Sequence, residues 1–288
     1  MRLILSRKGY DSASGGCASP IFPDGSLCSL PIPSGDELRL DDIRRGDGCL
    51  GDLVAQLADA SAASSAHVHL DPDLDRGARP RPFGWRPCLG QTGAAQTHLE
   101  RHGVDAGDLF LFFGWFREVS LDGGRWRHRP DAPDLHCLFG WLQVGAICRL
   151  DLGDPAPAWA AEHPHVRHAD RYGRAGAHNG LYVAAERLSF PGCPGGVSGG
   201  GAFRRFVPSL RLTAPGRSRS VWRLPACFAP RSGAKPLSYH ADPGRWERDG
   251  EGVLLRTVGR GQEFVLDCDA HPGVMDWLLE VFGPATAP

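Results

Sequence analysis

Two uninterrupted apolar segments near the middle of the chain predict a pair of buried strands. The first, Gly107–Phe116, is entered through a Gly-Asp turn and is rich in aromatic residues. The second, His136–Ile147, follows after a polar connection. Aromatic enrichment favours strand over helix in apolar segments of this length. We therefore expect the two segments to pair as antiparallel strands.

Shorter elements are predicted wherever apolar positions lie between turn-forming residues. The short strands expected from this pattern are Leu3–Ser6, Pro20–Phe22, Ser26–Ile32, Leu181–Ala184, Phe203–Phe206, Val253–Val258 and Glu263–Leu266. Apolar spacings of three and four predict helices at Leu50–Ala60 and Ala94–His102, and at Pro272–Phe282 with Gly283 as its end. Because 38 Gly and 24 Pro interrupt the chain, long helices are not expected.

These elements predict an α+β fold that is mainly antiparallel β, with a few short helices and long loops. No internal repeat or change of composition marks a boundary, so residues 1–288 are interpreted as one domain. The formal net charge is −1, which provides no overall positive field and argues against a sequence-independent coat on DNA.

The cysteines and the apolar segments bear on where the protein works. The nine cysteines form no CxxC pair, which fits neither a disulfide framework nor a zinc knuckle. The first residues lack the apolar run of a signal peptide, and no segment approaches the roughly 20 apolar residues that span a bilayer. These observations predict a cytoplasmic protein with no membrane association.

The clearest candidate for chemistry is the segment AHVHLDPDLD, residues 66–75. In an extended chain alternate side chains share a face, so His67, His69 and Asp71 are expected to project together. Two imidazoles and a carboxylate suit Zn, Fe or Mn, and this set with open positions is typical of non-haem Fe(II) oxygenases. The polar face of an edge strand followed by an acidic turn is the alternative interpretation.

A second HxH element occurs at His163-Pro164-His165. We expect proline to keep this segment extended, so that both imidazoles share a face. A surface loop is the alternative, but two such elements in one chain favour a shared metal site. Neither has the i, i+4 spacing of the zinc-protease helix motif HExxH.

The N-terminal loop that follows the first strand is a candidate anion site. Its small residues expose backbone N–H groups, Arg7 and Lys8 add positive charge, and Asp11 is a candidate ligand or base. Neither a Walker A sequence nor GxGxxG is present, and the chain shows no signature for NAD, FAD or PLP. A tight turn is the alternative.

The segment GRGQEFV, residues 259–265, is the last candidate. Gln262 and Glu263 place a donor and an acceptor at the start of a strand, where they can read a base edge or orient a substrate amide. A β-bulge or turn that leads into the strand is the alternative interpretation.

Taken together, several segments resemble the nucleotide modification associated domain 3 family. The matching segments are ILSRKGYDS (4–12), SPI (19–21), SLPIP (29–33), HLDPDL (69–74), GDLFLFFGWF (107–116), HPH (163–165) and GQEFV (261–265). The segment LSYH (237–240) is also similar to the family, which makes His240 a reserve ligand or substrate contact. The resemblance implies a link with base modification, chiefly in phage and bacteria, without a settled reaction. The two buried strands are in addition similar to the core of PUA-like barrels, which is an analogy of fold only.

Three functions remain open at this stage. The first is a metal-dependent enzyme, with iron favoured, that hydroxylates or otherwise modifies a nucleobase, nucleotide or peptide side chain. In it Asp11 and Glu263 would serve as acid–base groups, and Arg7, Lys8, Gln262 and His240 would contact substrate. The second is a PUA-like module that binds a modified base without turnover. The third is a metal-independent transferase that holds a phosphate in the N-terminal loop.

Overall fold

The structure is a computed structural model, which describes residues 1–58, 66–172, 178–259 and 261–285. Its strands are, in chain order, β1 (Arg2–Arg7), β2 (Ser19–Ile21), β3 (Ile32–Pro33), β4 (Arg44–Arg45), β5 (Gly48–Cys49), β6 (Val68–His69), β7 (Cys88–Thr92), β8 (Leu109–Asp122), β9 (Arg125–His128), β10 (Leu135–Arg149), β11 (Asn179–Ala184), β12 (Gly200–Ala202), β13 (Val221–Pro225), β14 (Trp246–Asp249), β15 (Gly252–Arg256) and β16 (Glu263–Asp267). Its α-helices are α1 (Leu50–Leu57), α2 (Gly93–Arg101), α3 (Pro164–Arg167), α4 (Ala169–Tyr172) and α5 (Val274–Ala285).

One large mixed sheet organises the molecule. Its strands follow the order β16, β1, β8, β10, β11, β7, with β2 and β9 also paired to β8 and β12 paired to β10. β1 and β2 run parallel to β8, whereas the other pairs of this sheet are antiparallel. Within the described residues, three smaller sheets are formed by β13-β15-β14, β3-β6 and β4-β5. The prediction of an α+β fold with mainly antiparallel strands is confirmed.

The two long apolar segments form the centre of this sheet, as their pattern predicts. β8 and β10 pair antiparallel, from Leu135 opposite Phe116 to Gln143 opposite Leu109. The side chains of Phe110, Phe112 and Phe113 on β8 are fully buried. Because the strands are covered on both faces, they show a continuous apolar run instead of alternation.

The sheet curves until its two end strands approach each other. β7 and β16 lie at opposite ends of the strand order, yet the side-chain amide of Gln91 on β7 donates a hydrogen bond to Glu263 on β16. α2 contacts both of these strands. The strands of the described ranges do not close into a barrel by backbone hydrogen bonds, so the similarity to PUA-like barrels extends only to the curvature.

Two of the short strands predicted from sequence are not formed as such. Phe203–Phe206 lies after the end of β12, because the Phe203 ring turns inward to pack 4.8 Å from Trp141 and 5.6 Å from Phe282. Within Ser26–Ile32, only Ile32 belongs to a strand, and Ser26 and Leu27 make isolated bridges.

The helices are close to their predicted positions. α1 begins at Leu50 as predicted, and the end predicted at Ala60 lies outside the described residues. α5 continues through Gly283 instead of ending there, since its buried face carries Leu278, Val281 and Phe282 into the core and outweighs the roughly 1 kcal/mol cost of a helical glycine. Over the ranges that the structure describes, none of the helices has the length and apolar character needed to cross a membrane.

Candidate metal centre

Three side chains from two distant parts of the sequence converge beside β7. His69 ends β6, Asp71 follows it two residues later, and His165 lies in α3. Each offers one ligand atom, and these atoms all lie within 4.8 Å of one another. The cluster therefore joins one member of each HxH element to the carboxylate between them.

His69 is oriented by a second carboxylate, that of Asp36. Nδ1 of His69 lies 2.6 Å from Oδ2 of Asp36, and a carboxylate oxygen only accepts, so this nitrogen carries the proton. In the neutral ring Nε2 then has a free lone pair, and it lies 3.5 Å from Oδ2 of Asp71. Asp36 is itself 2% exposed and is held by the hydroxyl of Ser34 at 3.0 Å.

His165 is oriented in the same way by Asn179 of β11. The amide N–H of Asn179 donates to the His165 carbonyl at 3.1 Å, which leaves its Oδ1 to accept from Nδ1 of His165 at 2.8 Å. Nε2 of His165 therefore also has a free lone pair, and it lies 3.7 Å from Oδ2 of Asp71. Both imidazoles thus direct a hydrogen-bond acceptor, Nε2, toward the same carboxylate oxygen, Oδ2 of Asp71.

Gly90 provides the space for the His165 ring. A Cβ atom at Gly90 would lie 2.2 Å from Cδ2 of His165, so only glycine fits here. The His165 ring also stacks on Tyr172, with centroids 4.4 Å apart and planes at 6°. The backbone N–H of the same glycine donates to Oδ1 of Asp71 at 2.8 Å. One residue of β7 therefore positions both a candidate ligand ring and the candidate ligand carboxylate.

His163 contacts the cluster without supplying a lone pair to it. The residue is the N-cap of α3, and its Nδ1 accepts from the His165 backbone N–H at 3.3 Å. In the neutral ring the proton is therefore on Nε2, which lies 3.6 Å from Oδ1 of Asp71. The predicted extended geometry of His163–His165 is wrong, since Pro164 occupies the first turn of a helix, where it is well tolerated.

His67 lies on the same side of its segment as His69, but it remains at the surface. Its side chain is exposed, and Nδ1 contacts the backbone carbonyl of Asp36 at 2.5 Å. Both histidines of the first HxH element thus contact Asp36, in agreement with the alternation of side chains. Only His69 continues inward to Asp71.

The charges of the cluster are shared between the acids and the imidazoles. Burial opposes the ionisation of Asp71, but hydrogen bonds and charge from His163 and His69 outweigh it and hold its pKa well below the usual range. Burial lowers the pKa of His165 to about 4. For His69 the effect of burial is outweighed by Asp71 and Asp36, which raise its pKa. The two carboxylates thus favour a proton on His69, whereas burial disfavours one on His165.

A second buried cluster lies between the two ends of the main sheet. Oε1 of Glu263 accepts from the amide of Gln91 and lies 3.3 Å from Nζ of Lys8. The Glu263 side chain is 1% exposed and that of Lys8 is 10% exposed. Burial raises the pKa of Glu263, and Lys8 partly offsets this. Because Gln91 adjoins Gly90, this cluster holds the strand on which His165 and Asp71 rest.

The remaining residues of the N-terminal loop have partners within the protein. Both terminal nitrogens of Arg7 donate to backbone carbonyls, those of Gly259 at 3.2 Å and Val258 at 3.0 Å. Asp11 accepts from the backbone N–H groups of Ala13 and Ser14, which is the geometry of a turn. The loop therefore directs its own donors inward to Asp11 instead of outward to an anion.

Gln262 and His240 are also placed by the backbone. The Gln262 carbonyl accepts from the backbone N–H of Arg7 at 2.8 Å, while its side chain is exposed. His240 is fully buried, donates from Nδ1 to the Ser238 carbonyl at 2.8 Å and accepts at Nε2 from Val258 at 3.2 Å. Both ring nitrogens of His240 are thus satisfied inside the fold. Arg260 lies outside the described residues.

Sequence patterns alone did not reveal Asp36, Asn179 or Gly90. Asp36 lies in a polar loop 33 positions before His69, and Asn179 lies 14 positions after His165. Neither spacing matches a local motif. Gly90 lies in β7, which the sequence pattern did not predict, so its role as a close approach of backbone and side chain was not foreseen either.

The sequence model of one protein family, nucleotide modification associated domain 3, matches residues 2–267. The match includes His69, Asp71 and His165 as well as Lys8 and Glu263. No curated protein and no solved structure matches the chain.

Proposed function

Because the chain belongs to the nucleotide modification associated domain 3 family, we propose that it is a metal-dependent enzyme that modifies a nucleobase or a nucleotide. The family supports a role in nucleotide modification, and the cluster of His69, Asp71 and His165 supports the dependence on metal. The observation that carries the proposal is that Nε2 of His69 and Nε2 of His165 face the same oxygen of Asp71, at 3.5 and 3.7 Å.

The residues present fit a divalent cation. Both imidazoles have their Nδ1 proton held by an oxygen acceptor, which leaves Nε2 as the metal-binding atom, as in most histidine metal sites. Residue 90 is a glycine, and the His165 ring occupies the space that a side chain at this position would need. Two imidazoles and one carboxylate leave coordination positions free for water, a cosubstrate or substrate, which favours Fe(II). When bound, such a metal supplies Lewis acidity and activation of water or O₂.

The residues around the ligands have distinct tasks in this proposal. Asp36 and Asn179 fix the tautomer and the orientation of the two imidazoles. Nε2–H of His163 and the N–H of Gly90 both face Oδ1 of Asp71, at 3.6 and 2.8 Å, which turns Oδ2 toward the imidazoles. Glu263, bound to Gln91 and Lys8, supports β7 from the other side. We assign Glu263 a positioning role, since its charge is already engaged by Lys8.

Metal analysis of the purified chain, made without a histidine tag, tests the proposal. After reconstitution with Fe(II), Mn(II) or Zn(II) under exclusion of O₂, we expect about one equivalent of bound metal. His165→Ala removes a ligand and should reduce the bound metal to background. His67→Ala is the matched control, because His67 belongs to an HxH element but lies at the surface.

The result that would overturn the proposal is equally direct. Less than about 0.2 equivalents of metal in the unaltered chain, or equal metal content in the His165→Ala variant, contradicts a centre at this cluster. Loss of metal in the His67→Ala variant with retention in His165→Ala would place the centre elsewhere.

A further inference from the structure

A large cavity that includes Asp71 lies between the 22–27 turn and the β4-β5 hairpin. Its volume is about 780 Å³, which is within the range of small-molecule sites. Part of its wall is apolar and comes from buried side chains, among them Leu50, Leu74, Phe139 and Phe203. Such a wall can accommodate the flat face of a base.

Four arginines line the same cavity, in two adjacent pairs from different parts of the chain. Arg44 and Arg45 form β4, and Arg204 and Arg205 follow β12. The 22–27 turn joins them, because Arg45 stacks over the ring of Phe22 at 3.7 Å and the backbone N–H of Leu27 donates to the Arg204 carbonyl at 3.0 Å. Four arginine residues thus line one cavity.

At least two of these guanidinium groups are available to a ligand. Arg44 is exposed and makes no side-chain hydrogen bond or ion pair with any residue that the structure describes. The Arg204 side chain is 84% exposed, and its one ion pair within the described part of the chain is a 3.8 Å contact with Asp75. Arg205 also keeps an exposed side chain, although one of its nitrogens donates to the Asp24 carbonyl at 2.7 Å.

The acids that line the cavity are already engaged. Both oxygens of Asp73 accept from Arg81 at 2.6 Å. Asp71 accepts from Gly90 and faces the imidazoles, and Asp75 accepts from the backbone N–H of Gly77 at 2.9 Å. Because Arg81 neutralises Asp73, the four arginines outnumber the two remaining acids of the lining, Asp71 and Asp75, and leave an excess of positive charge. Guanidinium groups pair with phosphate or carboxylate, to which they can donate two parallel hydrogen bonds.

We propose that this cavity binds a free nucleoside phosphate, with its phosphate on Arg44 and Arg204 and its base against the apolar wall, next to the metal centre. Its role as the substrate site rests on the proposed function. A single nucleotide is favoured over a nucleic-acid strand because the net charge of the chain is −1, which provides no general attraction for a polyanion.

Binding measurements on the metal-free, full-length chain test this proposal by isothermal titration calorimetry. The probes are the four 2′-deoxynucleoside 5′-monophosphates, the matching nucleosides, inorganic phosphate and a short single-stranded oligonucleotide. We expect at least one monophosphate to bind about tenfold more tightly than its nucleoside, since charge-assisted hydrogen bonds to phosphate are lost in the latter. The same monophosphate should also bind more tightly than inorganic phosphate, because only it contacts the apolar wall.

Two arginine variants and one matched control locate the phosphate. Arg44→Ala and Arg204→Ala should each weaken binding about threefold to tenfold, and the double variant by more than tenfold. Arg125→Ala, which removes an exposed arginine from β9, should leave the affinity unchanged.

Three results would overturn the proposal. They are equal affinity for nucleoside and monophosphate, unchanged affinity in the double variant, and tighter binding of the oligonucleotide than of every mononucleotide. The His165→Ala variant separates this proposal from the metal-dependent function, because it should lose metal but keep nucleotide affinity. Nucleotide binding by a chain that takes up no metal would refute the proposed function alone, and metal uptake without nucleotide binding would refute the cavity assignment alone.

Discussion

Two buried clusters of charged side chains lie on either side of β7, and they differ in what faces the carboxylate. At Glu263 the carboxylate meets a lysine ammonium at 3.3 Å and an amide donor, so positive charge and a proton donor are already present. At Asp71 a single carboxylate oxygen, Oδ2, faces the Nε2 atoms of His69 and His165, at 3.5 and 3.7 Å. In their neutral forms these nitrogens are acceptors, and acceptors alone do not stabilise a carboxylate.

This difference is the basis for proposing a cation at the Asp71 cluster, whereas the Glu263 cluster neutralises itself. In the first, Asp36 and Asn179 hold Nδ1 of the two imidazoles and leave both Nε2 atoms facing Asp71. In the second, Lys8 neutralises Glu263, and the hydrogen bond from Gln91 to Glu263 joins the two ends of the curved sheet. In the proposed function, the first cluster binds the metal and the second supports the strand beneath it.

The largest expected effect comes from removing the carboxylate at each cluster and comparing metal affinity. Asp71→Ala deletes a ligand and should lower the affinity for Fe(II) or Zn(II) by roughly a thousandfold, whereas Glu263→Gln should change it by less than tenfold. Chelator competition, followed by metal analysis, measures both. Equal losses in the two variants would mean that the clusters do not have separate tasks.

Breaking the ion pair should affect stability more than metal binding. Lys8→Met leaves Glu263 buried without its cation, and we expect a loss of about 3 kcal/mol in the free energy of unfolding at pH 8, measured by urea denaturation. Burial already raises the pKa of Glu263, and loss of Lys8 raises it further. Glu263 is therefore protonated and neutral at lower pH, so the loss should become smaller toward pH 5. A pH-independent loss would contradict this account. Glu263→Gln combined with Lys8→Met should recover part of the stability.

Substitution of Gly90 tests whether β7 sets the position of the His165 ring at the proposed metal centre. Gly90→Ala places a Cβ 2.2 Å from the His165 ring, which must move away from Asp71. We expect metal affinity to fall about tenfold to a hundredfold, as for other changes that displace a ligand. The control is Gly195→Ala, where a Cβ meets nothing within 4 Å and φ is not positive. An unchanged affinity in Gly90→Ala would show that the ring position is not set by this contact.

The smallest expected effect concerns His240, a buried histidine outside both clusters. Burial lowers its pKa to about 4, below the usual value of 6.5, so the folded protein binds this proton less readily than the unfolded chain does. Its contribution to stability is therefore present above pH 6.5 and is lost as the pH falls toward 4. We expect His240→Gln to remove on the order of 1–2 kcal/mol of this acid-dependent loss. Unfolding curves at pH 7 and pH 4.5 measure it, and an unchanged pH dependence would contradict it.

Some of the candidate site could be predicted from local pattern. Alternation in an extended segment correctly placed His67 and His69 on one side, and both contact Asp36. The pattern could not tell which of them continues into the interior, because that depends on how far the segment lies from the sheet. The opposite problem arose at His163–His165, where proline was expected to extend the chain but begins α3. The fixed φ of proline is compatible with an extended segment and with the first turn of a helix. Here α3 packs against β7 and β11, and this packing favours the helix.

The sequence by itself determined the central strands, the α+β class and the family, because these follow from apolar runs and from motifs that are read along the chain. Only the tertiary structure decided that His69, Asp71 and His165 form one cluster. The reason is that a histidine's free nitrogen depends on where its proton lies, and that proton is held by Asp36, 33 positions away, or by Asn179, 14 positions away. Folding brings these partners together with Gly90, and their contacts leave the two Nε2 atoms facing one carboxylate oxygen.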